Sequence, residues 1–407
     1  MMTFTEEDFL EAQEGERKLE LLSRGCTHLP SGKSVITHEY DSVIYLDRVM
    51  RIAKRIRFFR GDVCKMVAGW RKARIVRLNR LGHSLLLICR QYRAVITVGI
   101  GKDECPRFGH HKFHPYLDVA LKAVAEAEAS INEALGNKDH ERLCTAVSNL
   151  AVEIHIQTNT EVFKASVRNF ERNAEAKLRR ALSYLASLFG KRSRLLVLRV
   201  DLYVREKDRL WSYTPEAEAA FDKFASALSG CKIVPDVLGW MSAREDGLER
   251  GRHYHVMALL DGHERRAGVN LAKMLGEYWM TECVGSDRVG SYFNCFALAK
   301  KYKHLGIGTI HCSDAKKLLG LFYATRYLCK SNVQLVATGE GSRNFRRGVV
   351  DKSYVRRGAP RVGGDCLSTV KQTLFGQMRQ VAARRRSVDE AGIRVDATDA
   401  HAHSPWL

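Results

Sequence analysis

The chain has 407 residues, 45% of them hydrophobic and 28% charged, with 66 Lys and Arg against 46 Asp and Glu. That balance fits two or three domains with sizeable cores and excludes a wholly disordered chain, a collagen or a coiled-coil rod. The acidic start, Met1 to Arg17, lacks the basic-then-apolar pattern of a secretory signal, and no apolar run nears the ~18 residues that cross a bilayer. The reading is a cytoplasmic protein without a membrane partner. Eleven cysteines with no Cys-x-x-Cys pair fit a reducing compartment and mostly buried free thiols.

The net charge of +20 sits in two stretches. Arg51 to Arg80 holds eleven Lys/Arg and one acid, Asp62; Gly341 to Arg386 holds twelve Lys/Arg and two acids, Asp351 and Asp365. Each stretch is therefore +10, and the rest of the chain balances near zero. A neutral body with two cationic segments suits a polyanion, and Trp70, Phe345 and Tyr354 lie among the cations where bases could stack. The alternative is a solvated basic face. Arg343, Arg346, Arg347, Arg356, Arg357 and Arg361 are the expected DNA-binding residues of the second stretch.

Residues 1–115 read as a basic N-terminal region, with a strand-like run around Ala94 to Ile100. Cys105, His110, His111 and His114 cluster there, at a spacing that matches no standard metal site. Residues 116–190 are helical, from Leu117 to Leu135 and from Thr160 to Phe189, where Phe163, Val167, Phe170, Ala174, Leu178, Leu182 and Leu185 recur every three or four positions until Gly190. Residues 191–336 change texture. Leu195 to Val204 predicts a strand, Thr214-Pro215 a helix start, Ile233 to Ala243 and His253 to Leu260 a hairpin pair, and Val269 to Cys283 a helix. Gly308 to His311 then predicts a strand and Ser313 to Lys330 a helix. The fold class is α+β, an antiparallel sheet covered by helices with a ferredoxin/RRM-like core. Residues 337–386 form a basic extension and 387–407 a frayed tail.

The sharpest motif is His253-Tyr-His255 followed by an apolar run. Residues two apart on a strand face the same way, so both imidazoles lie side by side on a buried strand, sharing either a divalent cation or a hydrogen bond. A hairpin would return Glu245 toward them, completing a ligand set suited to Mg²⁺ or Mn²⁺ at a phosphate. On the last helix, Tyr323, Tyr327 and Lys330 share one face beside an apolar stripe of Leu318, Leu321, Phe322 and Leu328. The two tyrosines are either phosphate nucleophiles with a nearby cation or amphipathic boundary residues.

Together, Leu198-Arg-Val-Asp-Leu202, Arg244-Glu245, His253-Tyr-His255-Val and Tyr327-Leu-Cys-Lys330-Ser resemble the HUH endonucleases that start rolling-circle replication, and more narrowly the gene-two type replication proteins of inoviruses (filamentous prophages). The resemblance spans about Leu195 to Val333. It implies His253 and His255 as metal ligands with Glu245 a candidate third, Tyr327 as nucleophile, Lys330 as its helper and Tyr323 as a potential second nucleophile. It further implies single-stranded or origin DNA as substrate, a 5′-phosphotyrosine intermediate, and a host helicase and polymerase as partners in a bacterial cell. No Gly-x-x-x-x-Gly-Lys-Ser/Thr loop is present, so an unwinding motor must come from elsewhere. The alternatives are a relaxase or transposase with the same chemistry, or a non-enzymatic DNA-binding regulator.

Overall fold

A computed structural model describes residues 26–28, 34–36, 39–69, 74–97, 108, 111–205, 210–247, 251–285, 288–296, 299, 304–329, 335–337, 344–349 and 366–398. The chain divides into two compact units, one of residues 1–170, 333–336 and 390–407, the other of residues 171–332 and 337–389.

The first unit contains a small strand pair, β1 (Cys26–His28) and β2 (Ser34–Ile36), helix α1 (Glu39–Phe58), and a hairpin of β3 (Cys64–Ala68) and β4 (Arg74–Leu78). Helix α2 (Arg80–Tyr92), strand β5 (His111–Phe113), and helices α3 (Pro115–Gly136) and α4 (His140–Asn159) follow. Strand β11 (Leu335–Ala337) pairs with β5. Tyr45, Leu46, Leu85, Ile88, Leu117, Val124, Ile131, Val147 and Ile154 are buried, so each of these four helices contributes an apolar stripe to the core. The run expected to be a strand, Ala94 to Ile100, instead continues α2 as a turn of wider helix over Arg93–Thr97, and 98–100 lie outside the described residues. Its β-branched residues ride on a helix that is already nucleated, where tertiary packing overrides propensity. His114 is buried at the N-cap of α3, its Nδ1 accepting the Tyr116 amide at 3.3 Å; Cys105 and His110 lie outside the described residues.

Helix α5 (Glu161–Lys191) runs from one unit into the other. The second unit continues with β6 (Arg194–Val204), α6 (Pro215–Ser229), β7 (Val237–Gly247), β8 (Gly251–Asp261), α7 (Gly268–Tyr278), β9 (Gly290–Asn294), β10 (Gly308–His311), α8 (Ala315–Cys329), β12 (Phe345–Arg347) and α9 (Cys366–Thr398). The architecture is mixed α+β around a six-stranded antiparallel sheet of order β10-β6-β8-β7-β12, with β9 also on the outer edge of β6.

One face of this sheet is the main core. Leu196, Leu198, Val200 and Leu202 of β6 and Tyr254, Val256, Ala258 and Leu260 of β8 pack against Phe221, Phe224 and Leu228 of α6 and Leu271 and Leu275 of α7. These are the even-numbered strand positions, as a period of two requires. The odd-numbered positions face the other way and include Arg199, Asp201, Glu245, His253 and His255. Every residue of β8 is buried, so both faces of the sheet are covered at its centre.

One further expectation fails. The chain beyond Ser387 is helical as far as Thr398, the end of α9, whose earlier turns bury Val370, Leu374, Met378 and Val381. The Arg-rich composition of that stretch hid the spacing. The cysteines agree with the expectation of mostly buried free thiols: among the described residues seven are free and four of those are buried, while Cys312 is disulfide-bonded.

Candidate metal centre

Three odd-face residues converge on the central hairpin. Glu245 of β7 lies directly opposite His253 of β8, and His255 lies two residues further along β8. One ligand atom from each of the three comes within 4.8 Å of the others, and all three side chains are buried. His255 Nε2 is 2.8 Å from Glu245 Oε2, and His253 Nε2 is 3.9 Å from the same oxygen. His253 Nδ1 donates to the carbonyl of Gly251 at 3.2 Å, which turns its other nitrogen toward Glu245. The imidazoles lie side by side as expected, their planes 85° apart with centroids at 5.0 Å, so two lone pairs can be aimed at one point.

Strand β6 supplies what the motif lacks. Asp201 lies opposite His255 in the β6–β8 ladder, and His255 Nδ1 donates to its Oδ1 at 2.6 Å. A carboxylate on the remote nitrogen fixes the ring and raises the basicity of the other nitrogen, the usual support for a metal-bound histidine. In the metal-free chain burial would push the His255 pKa down, but the carboxylates of Asp201 and Glu245 outweigh it and raise the value to about 9. For Asp201 burial works upward, and the charges of His255 and Arg199 overcome it and hold the carboxyl well below the usual range. The doubly protonated His255 ring thus bridges the carboxylates of Asp201 and Glu245 where a cation would fit. The donor set of two imidazoles, one carboxylate and one orienting carboxylate suits a divalent metal ion.

Helix α8 lies over this cluster. The Tyr327 ring meets His255 edge-on at 5.4 Å between centroids, and the Arg199 guanidinium carbon sits 4.5 Å from the centroid of the same ring. Arg199 Nε is in turn 3.8 Å from Asp201 Oδ1. Tyr327, Arg199, Asp201, His255 and Glu245 therefore form one continuous polar chain, within which each neighbour restricts the next. Tyr323, one turn earlier, stacks its ring on His304 at 4.8 Å and 21°. Both tyrosines are half-buried.

Other expected residues have different surroundings. Arg244 faces away from Glu245, onto the main core side, where it and Arg252 share Glu218 Oε1 at 2.9 and 2.7 Å. Arg346 pairs with Asp222 at 2.6 Å and Arg347 lies 5.0 Å over the Tyr184 ring, so both help seat β12 on the unit. Lys330, Arg343, Arg356, Arg357 and Arg361 lie outside the described residues. Sequence reasoning gave Arg199 and Asp201 no role. Their signal was present: two charges, two residues apart, amid the Leu and Val run of Leu195 to Leu202.

Among the described residues no helix is long and apolar enough to cross a membrane. In comparisons with known proteins, no family model, no curated protein and no solved structure matches this chain.

Proposed function

We propose that the chain is a metal-dependent DNA nicking and joining enzyme of the HUH type, serving replication of a phage or prophage element. The observation that carries this reading is the placement of the Tyr327 ring against His255, itself a member of a buried Glu–His–His cluster. Glu245, His253 and His255 would hold Mg²⁺ or Mn²⁺, whose chemistry is polarisation of a phosphate oxygen.

The chain's own residues do the rest. The Tyr327 hydroxyl loses its proton and attacks phosphorus; the bond to the 3′ oxygen breaks, and that oxygen leaves as a hydroxyl after taking up a proton. A 5′-phosphotyrosine remains, and attack by a 3′ hydroxyl reverses the step and rejoins the strand. Arg199, stacked on the ring, favours the phenolate electrostatically. Asp201 holds His255 in the tautomer that leaves Nε2 for the metal. The cationic segments bind the DNA backbone, and a host helicase and polymerase complete the replication reaction.

The test incubates the full chain and a Tyr327→Phe variant with labelled single-stranded DNA and Mn²⁺. A covalent adduct formed by the unmodified chain, and lost in the variant, supports the proposal. A folded, metal-loaded chain that binds DNA but forms no adduct assigns it to regulation instead.

A further inference from the structure

Hairpin β3–β4 in the first unit has two dissimilar faces. Cys64, Met66, Val76 and Leu78 belong to the inner face, where Cys64 Sγ donates to the Cys144 carbonyl of α4 at 3.0 Å and contacts Ser148 Oγ at 3.2 Å. At the edge of that face Arg74 pairs with Glu141 of α4 at 2.7 Å. The hairpin is thereby fixed to α4, and its register is set.

The outer face consists of Lys65, Val67, Ile75 and Arg77. Lys65 and Arg77 are directly opposite partners, and both are exposed. Their Cβ atoms are then about 5 Å apart, a like-charge pairing that weakens an isolated hairpin. Ile75, beside them, is 39% exposed. Arg60 and Arg80 are exposed at the open end of the hairpin, and Asp62 is the one acid between them. A repulsive pair held outward by packing behind it has a physical use when an anion covers it.

We propose that this outer face is a docking surface for duplex DNA, separate from the candidate metal centre. A two-stranded ribbon, with strands about 4.8 Å apart, fits a major groove about 12 Å wide. Lys65 and Arg77 then reach phosphates, and the aliphatic pair Val67 and Ile75 meets sugar or thymine methyl carbons. A single strand is the poorer fit, because it offers a two-stranded ribbon no groove to enter. A lipid surface is poorer still, since two aliphatic side chains give little apolar area to insert. This surface deepens the reading above that the cationic segments bind DNA, giving one of them a duplex as partner, and does not depend on the nicking chemistry.

The experiment measures binding of the full chain to a labelled duplex and to a labelled single strand across a salt series. The variant Lys65→Gln/Arg77→Gln is compared with a control of equal charge loss on other exposed positions, Lys122→Gln/Arg179→Gln. Duplex affinity should fall about tenfold in the hairpin variant, and its salt slope should shrink by roughly one to two, with single-strand binding little changed. The control should keep both duplex values. Unchanged duplex binding, an equal loss in the control, an equal loss on single strands, or a loss seen on anionic vesicles instead would each overturn the proposal. Adduct formation by the same hairpin variant keeps the two ideas apart. An adduct with unaltered duplex binding removes the hairpin surface alone, whereas hairpin-dependent duplex binding without any adduct leaves it standing.

Discussion

Asp201 Oδ1 lies 2.6 Å from His255 Nδ1, and the two residues are direct partners across the β6–β8 ladder although 54 positions apart in the chain. Through this one hydrogen bond strand β6 determines which nitrogen of His255 is turned toward Glu245. Asp201→Asn keeps the shape and removes the charge, so Mn²⁺ affinity should fall about 10- to 100-fold. Electron paramagnetic resonance of free Mn²⁺ in the presence of the folded variant measures it directly. An unaltered affinity would deny Asp201 this role.

The proton on His255 makes a prediction about pH. Its folded pKa, about 9, lies above the ordinary histidine value of 6.5, so its contribution to stability is complete below 6.5 and is lost as pH rises through 9. Asp201 has the opposite sign: its contribution is present above 3.8 and disappears as acid protonates it in the folded state. Urea unfolding of the metal-free chain should therefore show stability declining from pH 6.5 to 9, and His255→Gln should flatten that decline. Apparent metal affinity should move the other way, rising toward pH 9 as the competing proton leaves.

Tyr327 and Tyr323 share a helix but not an environment. Tyr327→Phe retains the ring against His255 and Arg199 while removing the hydroxyl, so the adduct should vanish with the fold intact. Tyr323→Phe retains the stack on His304 and should cost no more than about 1 kcal/mol, with adduct formation preserved. Peptide mass spectrometry of the adduct decides between them, and attachment at Tyr323 alone would reverse the assignment.

The C-terminal cations are best tested by substitution, because truncation after Val336 would also remove β12 from the sheet and the Arg346–Asp222 pair with it. Arg356→Gln/Arg357→Gln/Arg361→Gln should weaken DNA binding and lower its salt slope by about 2 to 3 if each residue contacts a phosphate. A salt titration with an unaltered slope would assign that charge to another partner.

Much of the second unit was legible because its elements repeat cleanly. The strands that became β6 and β8 alternate or run apolar, α8 shows helical spacing, and the short turn after Glu245 placed that residue near His253. Register across β6 and β8 was not legible, since nothing local states which of two distant strands will neighbour. Arg199 and Asp201 acquire meaning only once that pairing exists. Strand β7 begins four residues later than expected, and a register shift between Val237 and Gly239 breaks the alternation that would have marked its start. The first unit was legible only in part: the helix expected from Leu117 to Leu135 is α3, whereas the five Arg and Lys of α1 dilute its apolar periodicity and α2 ends in a β-branched run that mimics a strand.

Gly320 sits inside α8, and a Cβ there would strike the carbonyl of Leu305; a Cβ on Gly306 would strike that of Gly320. The helix therefore meets the segment before β10 main chain to main chain, at a separation that no rotamer can adjust. A methyl at 320 would act as a shim, lifting α8 two turns, about 10 Å, before Tyr327. Gly320→Ala should gain about 1 kcal/mol in helix propensity and still destabilise the unit, because backbone on the far side cannot yield. The same lever makes position 320 a tuning point: the span between Tyr327 and the Glu245–His253–His255 cluster can be altered there without changing any residue of the cluster itself.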